Sequence, residues 1–137
     1  MILLDTNVVL DVIQRREPHY RASAAVIERI IRRETVGALS AHAITTIHFI
    51  IARHQNRNVA AQAIQWLLKH FIVASVGKPE LLRAQALGWS DFEDAVVAAA
   101  AESSDCSTIL SRNVRDFDGS PIPVVTPEEY LLGLEEK

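Results

Sequence analysis

Three aspartates stand where apolar runs end or begin. Asp5 closes the run Met1 to Leu4, Asp94 directly precedes the block Ala95 to Ala101, and Asp116 follows the β-rich Thr108 to Leu110 after a short polar stretch. If the three converge, their charges repel. Two carboxylates about 5 Å apart cost roughly 3 kcal/mol at an effective dielectric of 20. Either protons are retained or a divalent cation neutralises the cluster. An all-carboxylate donor set with no paired His or Cys suits Mg²⁺ or Mn²⁺ and not zinc. Such a cation lowers the pKa of bound water and holds a phosphate oxygen, which is what phosphodiester hydrolysis requires.

Each acid also has a structural explanation. Met1 to Leu4 reads as a buried central strand of a parallel sheet, which puts Asp5 at the carboxyl end, where open α/β sheets place their ligand crevice. Thr6 and Asn7 are N-cap types for a helix beginning at Val8, and membership of that cap is the alternative reading of Asp5. Ser90 and Glu93 fit a capping box, which accounts for Glu93 without chemistry. Asp91 lies three residues before Asp94, on the same face of a helix. Asp116 reads as a site acid or as a loop or cap aspartate, and Asp118, before Gly119, as a turn residue.

The elements that must position these groups alternate. Helical spacing is expected over Tyr20 to Arg33, Ala43 to Arg53, Val59 to His70 and from Pro79 to about Leu87. Short strands are expected at Val36 to Ser40, Phe71 to Val76, Thr108 to Leu110 and Val124-Val125, with a last helix opening at Pro127 and a tail, Glu135 to Lys137, that frays. The block Ala95 to Ala101 is apolar all round, so its helix should be buried. Strands alternating with helices predict an α/β fold with a small, mainly parallel sheet.

Composition narrows the function classes. The 137 residues suit one domain with a sizeable core, and no apolar run reaches the ~20 residues of a bilayer span. The start lacks a basic leader, so a cytoplasmic location is expected. The single cysteine, Cys106, excludes an internal disulfide and a thiolate zinc cluster. A net charge of −3 supplies no global field for nucleic acid, so contact with it would need a local basic patch. Arg112 and Arg115, flanking the third acidic stretch, suit phosphate contacts, with Arg15 and Arg16 on the other side. Solvated charge is the alternative for each. His42 and His48 are six apart and share no helical face; His48 reads as a semi-buried histidine.

The stretches Leu3-Leu4-Asp5-Thr6-Asn7-Val8, Asp91-Phe92-Glu93-Asp94-Ala95 and Ser111-Arg112-Asn113-Val114-Arg115-Asp116-Phe117 together resemble the PIN-domain family, especially VapC-like toxin ribonucleases. The close Pro123-Val124-Val125-Thr126-Pro127 is similar too, so the likeness runs nearly the length of the chain. The resemblance implies a single PIN-like domain, residues 1–137, with a three-layer fold. It also implies a Mg²⁺ or Mn²⁺ site and endonucleolytic cleavage of RNA. Asp5, Asp94 and Asp116 fall on the family's acidic positions, as metal ligands and catalytic groups. Glu93, Asp91 and Asn113 are accessory, Asn113 standing where many members have another aspartate. Members usually carry a glutamate near the start of the Ala43 to Arg53 helix. Here no acid lies between Thr35 and Gln55, and Thr46, with Thr45 as the fallback, occupies its place.

The expected function is therefore a metal-dependent ribonuclease, the toxin of a type II toxin–antitoxin pair. RNA is its substrate, a cognate antitoxin its inhibitor and a homodimer its assembly, with no membrane partner. Loss of the helix glutamate supports a second reading, a PIN-fold module that binds RNA or protein without turnover. A phosphatase with Asp5 as nucleophile, as in haloacid-dehalogenase-like enzymes, fits poorly: Asn7 replaces the acid expected two residues on, and the lysine ahead of a later acidic pair is missing.

Overall fold

Ile2–Leu4 forms strand β1, which lies at the centre of a five-stranded sheet in the computed structural model, described here for residues 1–136. Strands β2 (Gly37–Ser40) and β4 (Thr108–Leu110) flank it. β3 (Ile72–Ala74) and β5 (Val124–Val125) are the edges, giving the order β3-β2-β1-β4-β5 with every pairing parallel. Ile2 sits level with Gly37 on one side and with Thr108 on the other.

The two-residue period of a strand divides the core. Ile2, Leu4, Leu39 and Leu110 face one side, where they meet α1 (Thr6–Ile13), α2 (Tyr20–Ile31), α3 (Ala41–His54) and α4 (Arg57–His70). Leu3, Ala38, Ala74 and Ile109 face the other and pack on α6 (Phe92–Ser103), with α5 (Lys78–Leu87) outside it. A final helix, α7 (Pro127–Glu135), adds Tyr130 and Leu131 to the first side. These are the three layers expected of the chain. Ala95 through Ala101 is buried without a break, so the small side chains of α6 bring it against the sheet. Gly37 answers the same need on the opposite side, since a β-carbon there would come within 2.5 Å of Ile30.

Helix starts fall one or two residues earlier than the sequence-based expectation at α3, α4 and α5, which open at Ala41, Arg57 and Lys78. At α1 and α6 the capping residue differs as well. α1 begins at Thr6, and Asp5 is its N-cap, accepting the Thr6 N–H at 2.8 Å. α6 begins at Phe92 and is capped by Asp91, whose Oδ1 accepts the Asp94 N–H at 3.1 Å; Ser90 is not the cap. Either neighbour in each run is a good capping type, and the tertiary position of the helix decides between them. Of the tail expected to fray, Glu135 ends α7 and Glu136 caps it, while Lys137 falls outside the described residues.

The order of the strands makes a crevice. From β1 the chain leads away through helices to β2 on one side. From β4, β1's other neighbour, it leads outward to β5. Where neighbouring strands send their connections in opposite directions, their carboxyl ends leave an opening for ligands.

Candidate active site at the carboxyl ends of β1 and β4

Asp5 stands at that opening and is buried, with 8% of its surface exposed. Its Oδ1 is held by the Thr6 N–H, and its Oδ2 accepts from the Ser111 hydroxyl at 2.8 Å and the Asn7 amide at 3.3 Å. The Asp5 N–H continues the β1–β4 pairing by donating to the Leu110 carbonyl. The Ser111 hydroxyl also accepts from the Asn113 N–H, and the Asn7 Oδ1 from the Arg112 N–H. Asp5 therefore serves as cap and site acid at once, in a mesh joining the two strand ends. Ser111 and Asn7 lie within the family-like stretches, but only the β1–β4 pairing reveals their work on Asp5.

Burial pushes the Asp5 carboxyl above the usual aspartate range, against the hydrogen bonds from Ser111 and Thr6, and the charges of Glu93 and Asp91 push the same way. Asp94, part-buried in the first turn of α6, is lifted to about 7, first by burial and then by the charges of Asp5, Asp91 and Asp116. The charges of Asp5, Asp91 and Asp116 thus all bear on Asp94. Asp116 is exposed on a 3-10 turn, Val114–Phe117, whose Phe117 is buried. Phe117 meets Trp89 edge-on, with centroids 5.8 Å apart at 89°. This clasp fastens the turn carrying Asp116 to the approach of α6, which carries Asp91, Glu93 and Asp94. Trp89, Ser90, Asp91, Arg115, Asp116 and Asp118 line a depression of about 460 Å³.

The donor chemistry suits a hard divalent cation. Five carboxylates, those of Asp5, Asp91, Glu93, Asp94 and Asp116, are contributed around the crevice, and none forms an ion pair with a base among the described residues. Cys106 lies in the core beneath α6 and is not among the donors. Among the described residues, no three acidic, histidine or cysteine side chains are grouped so that they could hold a metal ion. The arrangement is an open acidic cleft rather than a preformed shell.

The remaining sequence candidates divide. Arg115 is exposed beside Asp116. Arg112 instead turns inward: its Nε lies 2.9 Å from Oδ2 of Asp11, a carboxylate with no solvent exposure that also accepts from the Ser23 hydroxyl at 3.4 Å. Burial raises the Asp11 carboxyl above its usual value, with the Arg112 charge opposing. Nothing in the sequence pairs Asp11 with a residue a hundred positions away. Thr46 donates its hydroxyl to the His42 carbonyl at 3.2 Å, as Thr45 does at 2.8 Å. Both hydroxyls are therefore tied to their own helix. His42 itself stands in the first turn of α3 against Glu93; burial lowers its pKa, and the Glu93 charge and main chain oppose that. Its separation from His48 gave no hint of this neighbour.

Known proteins show a fold similar to this chain. A toxin–antitoxin complex from Klebsiella pneumoniae has a chain 23% identical, with a TM-score of 0.71 over 93% of this chain and 98% of that one. FitAcB from Neisseria gonorrhoeae gives 19% identity and a TM-score of 0.67 over 93% and 99%. VapC20 of Mycobacterium tuberculosis, described as a toxin cleaving the sarcin–ricin loop, gives 15% and 0.64 over 80% and 87%. No curated protein matches the sequence. A family model described as PIN domain matches residues 1–115. With that match spanning most of the sequence, and with the parallel sheet and its acidic crevice in place, the chain belongs to the PIN-domain family.

Proposed function

We propose that the chain is a metal-dependent endoribonuclease and the toxin of a toxin–antitoxin pair. The observation that carries this reading is the position of three acids from separate segments: Asp5 at the end of β1, Asp94 in the first turn of α6 and Asp116 on the turn after β4. The charges of the other two acting on Asp94 support it. The kinship supports it, since one fold neighbour is named as an RNA-cleaving toxin and others as toxin–antitoxin complexes.

Asp5, Asp94 and Asp116 would hold Mg²⁺ or Mn²⁺, in part through water, with Asp91 and Glu93 accessory; the cation supplies an activated water and charge for the phosphate. The residues do the rest. A carboxylate offers about four lone-pair sites, and Ser111, Asn7 and Thr6 take three of those on Asp5, fixing its orientation. Asp94 holds a proton near neutrality and releases it as positive charge arrives. Glu93, exposed at the rim, is placed to accept a proton from water. Arg115 binds backbone phosphate next to the acids, while Arg112 holds the loop after β4 in place through Asp11. Phe92 is half exposed beside Glu93 and offers an apolar handle to an antitoxin that covers the cleft. The exposed apolar residues Phe49, Leu68 and Leu82 leave room for the homodimer interface.

The competing reading, RNA binding without turnover, is favoured by the absence of an acid on α3. Structured and single-stranded RNA incubated with Mn²⁺ separates the two. Cleavage by wild type that Asp5→Asn and Asp94→Asn each abolish supports the nuclease; retention without cleavage supports the binding module.

A further inference from the structure

The 3-10 turn that carries Asp116 borders three depressions, and one of them has an aromatic wall. That one holds about 460 Å³ and is lined by Trp89, Ser90, Asp91, Arg115, Asp116 and Asp118. Trp89 is half-buried, and its indole is held in place. Phe117 meets it edge-on at 5.8 Å, and with Val76 and Leu87 it packs on the core cluster beneath α6. The neighbouring chain is fixed too. Gly119, at a φ of +82°, passes so close that a β-carbon there would lie 4.0 Å from the indole Nε1. Beyond it, the Ser120 hydroxyl donates to the Ile122 carbonyl at 2.7 Å and accepts the Ile122 N–H at 3.2 Å. A site formed before its ligand arrives lowers the ordering cost of binding.

Charge decides what this depression takes. Asp91, Asp116 and Asp118 set three carboxylates around it against the single guanidinium of Arg115, so a phosphate is repelled from its floor. An uncharged ring with N–H groups at its rim is not: its face stacks on the indole and its edge donates to the carboxylates. Arg115 lines all three depressions, so it stands where they meet, in reach of the phosphate attached to such a ring. A cationic side chain from a partner protein would answer the acids but would be repelled by Arg115. A nucleotide uses both features. We propose that the depression is a nucleotide subsite: Trp89 stacks one unpaired base of RNA, and Arg115 holds its phosphate beside the acids. The inference rests on the ribonuclease reading for the identity of the polymer. A base inside a duplex has both faces covered by its neighbours, so the nucleotide bound here is single-stranded. Every base has a π face, so this subsite selects an unpaired nucleotide without selecting which one.

Tryptophan emission tests it. The other tryptophan, Trp66, packs on the opposite side of the sheet, on α4, so Trp66→Phe leaves Trp89 as the sole emitter. In that background, with chelator present to prevent cleavage, a short oligoadenylate should quench Trp89. By anisotropy of labelled probes it should bind roughly tenfold tighter than the abasic ribose-phosphate chain of the same length. Annealed to its complement, it should quench little. Trp89→Phe should keep most of the preference for bases. Trp89→Leu, which keeps an apolar side chain against Phe117, should bind the two probes equally. Absence of quenching, or a preference that survives Trp89→Leu, would overturn the proposal. So would an equal loss of affinity for both probes in Trp89→Leu, the mark of a purely structural ring. An arginine-rich peptide that quenches Trp89 where oligoadenylate does not would give the depression to a cationic partner segment and overturn it as well. Quenching by a protein that leaves RNA uncut in Mn²⁺ upholds the subsite and rejects the nuclease reading; cutting without quenching does the reverse.

Discussion

Replacing Asp94 by Asn should stabilise the metal-free protein at alkaline pH and leave it unchanged in acid. The Asp94 carboxyl is pushed from 3.8 up to about 7, by burial first and then by the charges of Asp5, Asp91 and Asp116. Between those values the folded chain keeps a proton that the unfolded chain has released. Stability therefore falls as pH climbs through this window, and stays lower above it. At about 1.36 kcal/mol per pH unit the gap corresponds to about 4 kcal/mol. Asp94 is only part-buried, and screening by water removes roughly half, leaving about 2 kcal/mol. Asparagine keeps the main-chain N–H that Asp91 accepts and carries no charge to repel. With about 2.1 cal/mol/K of unfolding entropy per residue over 137 residues, the gain is a Tm roughly 7 °C higher. Melting curves in chelator from pH 4 to 8 measure it. The variant should match wild type near pH 4 and exceed it by the full amount at pH 8. A difference that does not change with pH, or a variant less stable at pH 8, would refute the claim that these acids share one crevice.

Arg112→Ala should cost about 3–5 kcal/mol, since it strands the fully buried Asp11 without its partner. Arg115→Ala should stay within about 0.5 kcal/mol of wild type while weakening RNA binding and lowering its salt slope by about 1. Equal melting temperatures for the two variants would show that Arg112 is merely solvated. Thr46→Glu should raise Mg²⁺ affinity while destabilising the metal-free protein, because it returns an acid to α3 beside unneutralised carboxylates. Titration calorimetry and chelator melts check both; tight wild-type binding unaltered by Glu at 45 or 46 would show that other residues complete the site.

The alternation of strands and helices, the buried stretch of α6 and the three acids at strand or helix ends were all legible in the sequence. Each leaves a pattern within a window of ten or so residues. The pairings across the chain were not. Ser111 on Asp5 and Arg112 on Asp11 join residues about a hundred positions apart, and no local period records which polar group meets which. Arg112 accordingly read as a phosphate contact or a solvated charge, although its partner lies in the core. Adjacent residues of similar chemistry were ambiguous for another reason. Thr6 and Asp5, or Ser90 and Asp91, can each cap a helix, and only the height at which the helix docks selects one. That choice matters at Glu93: with Asp91 as the cap, the glutamate is left out of a capping box.

A helix clothed in methyl groups can approach a sheet more closely than one clothed in leucines. From Ala95 to Ala101, α6 carries five alanines and two valines, all buried. Of these, Val97, Ala98, Ala100 and Ala101 meet the sheet, and their size sets how far Asp94 hangs from the end of β1. The acidity of the cleft is thus written partly in uncharged residues up to roughly 10 Å along the helix, at 1.5 Å per residue. Enlarging one of them costs about 1–3 kcal/mol by forcing the layers apart. The same displacement carries Asp94 away from Asp5 and returns it toward an ordinary surface aspartate. Core volume and site acidity in this protein are thus mechanically coupled, and a change to the first shifts the second.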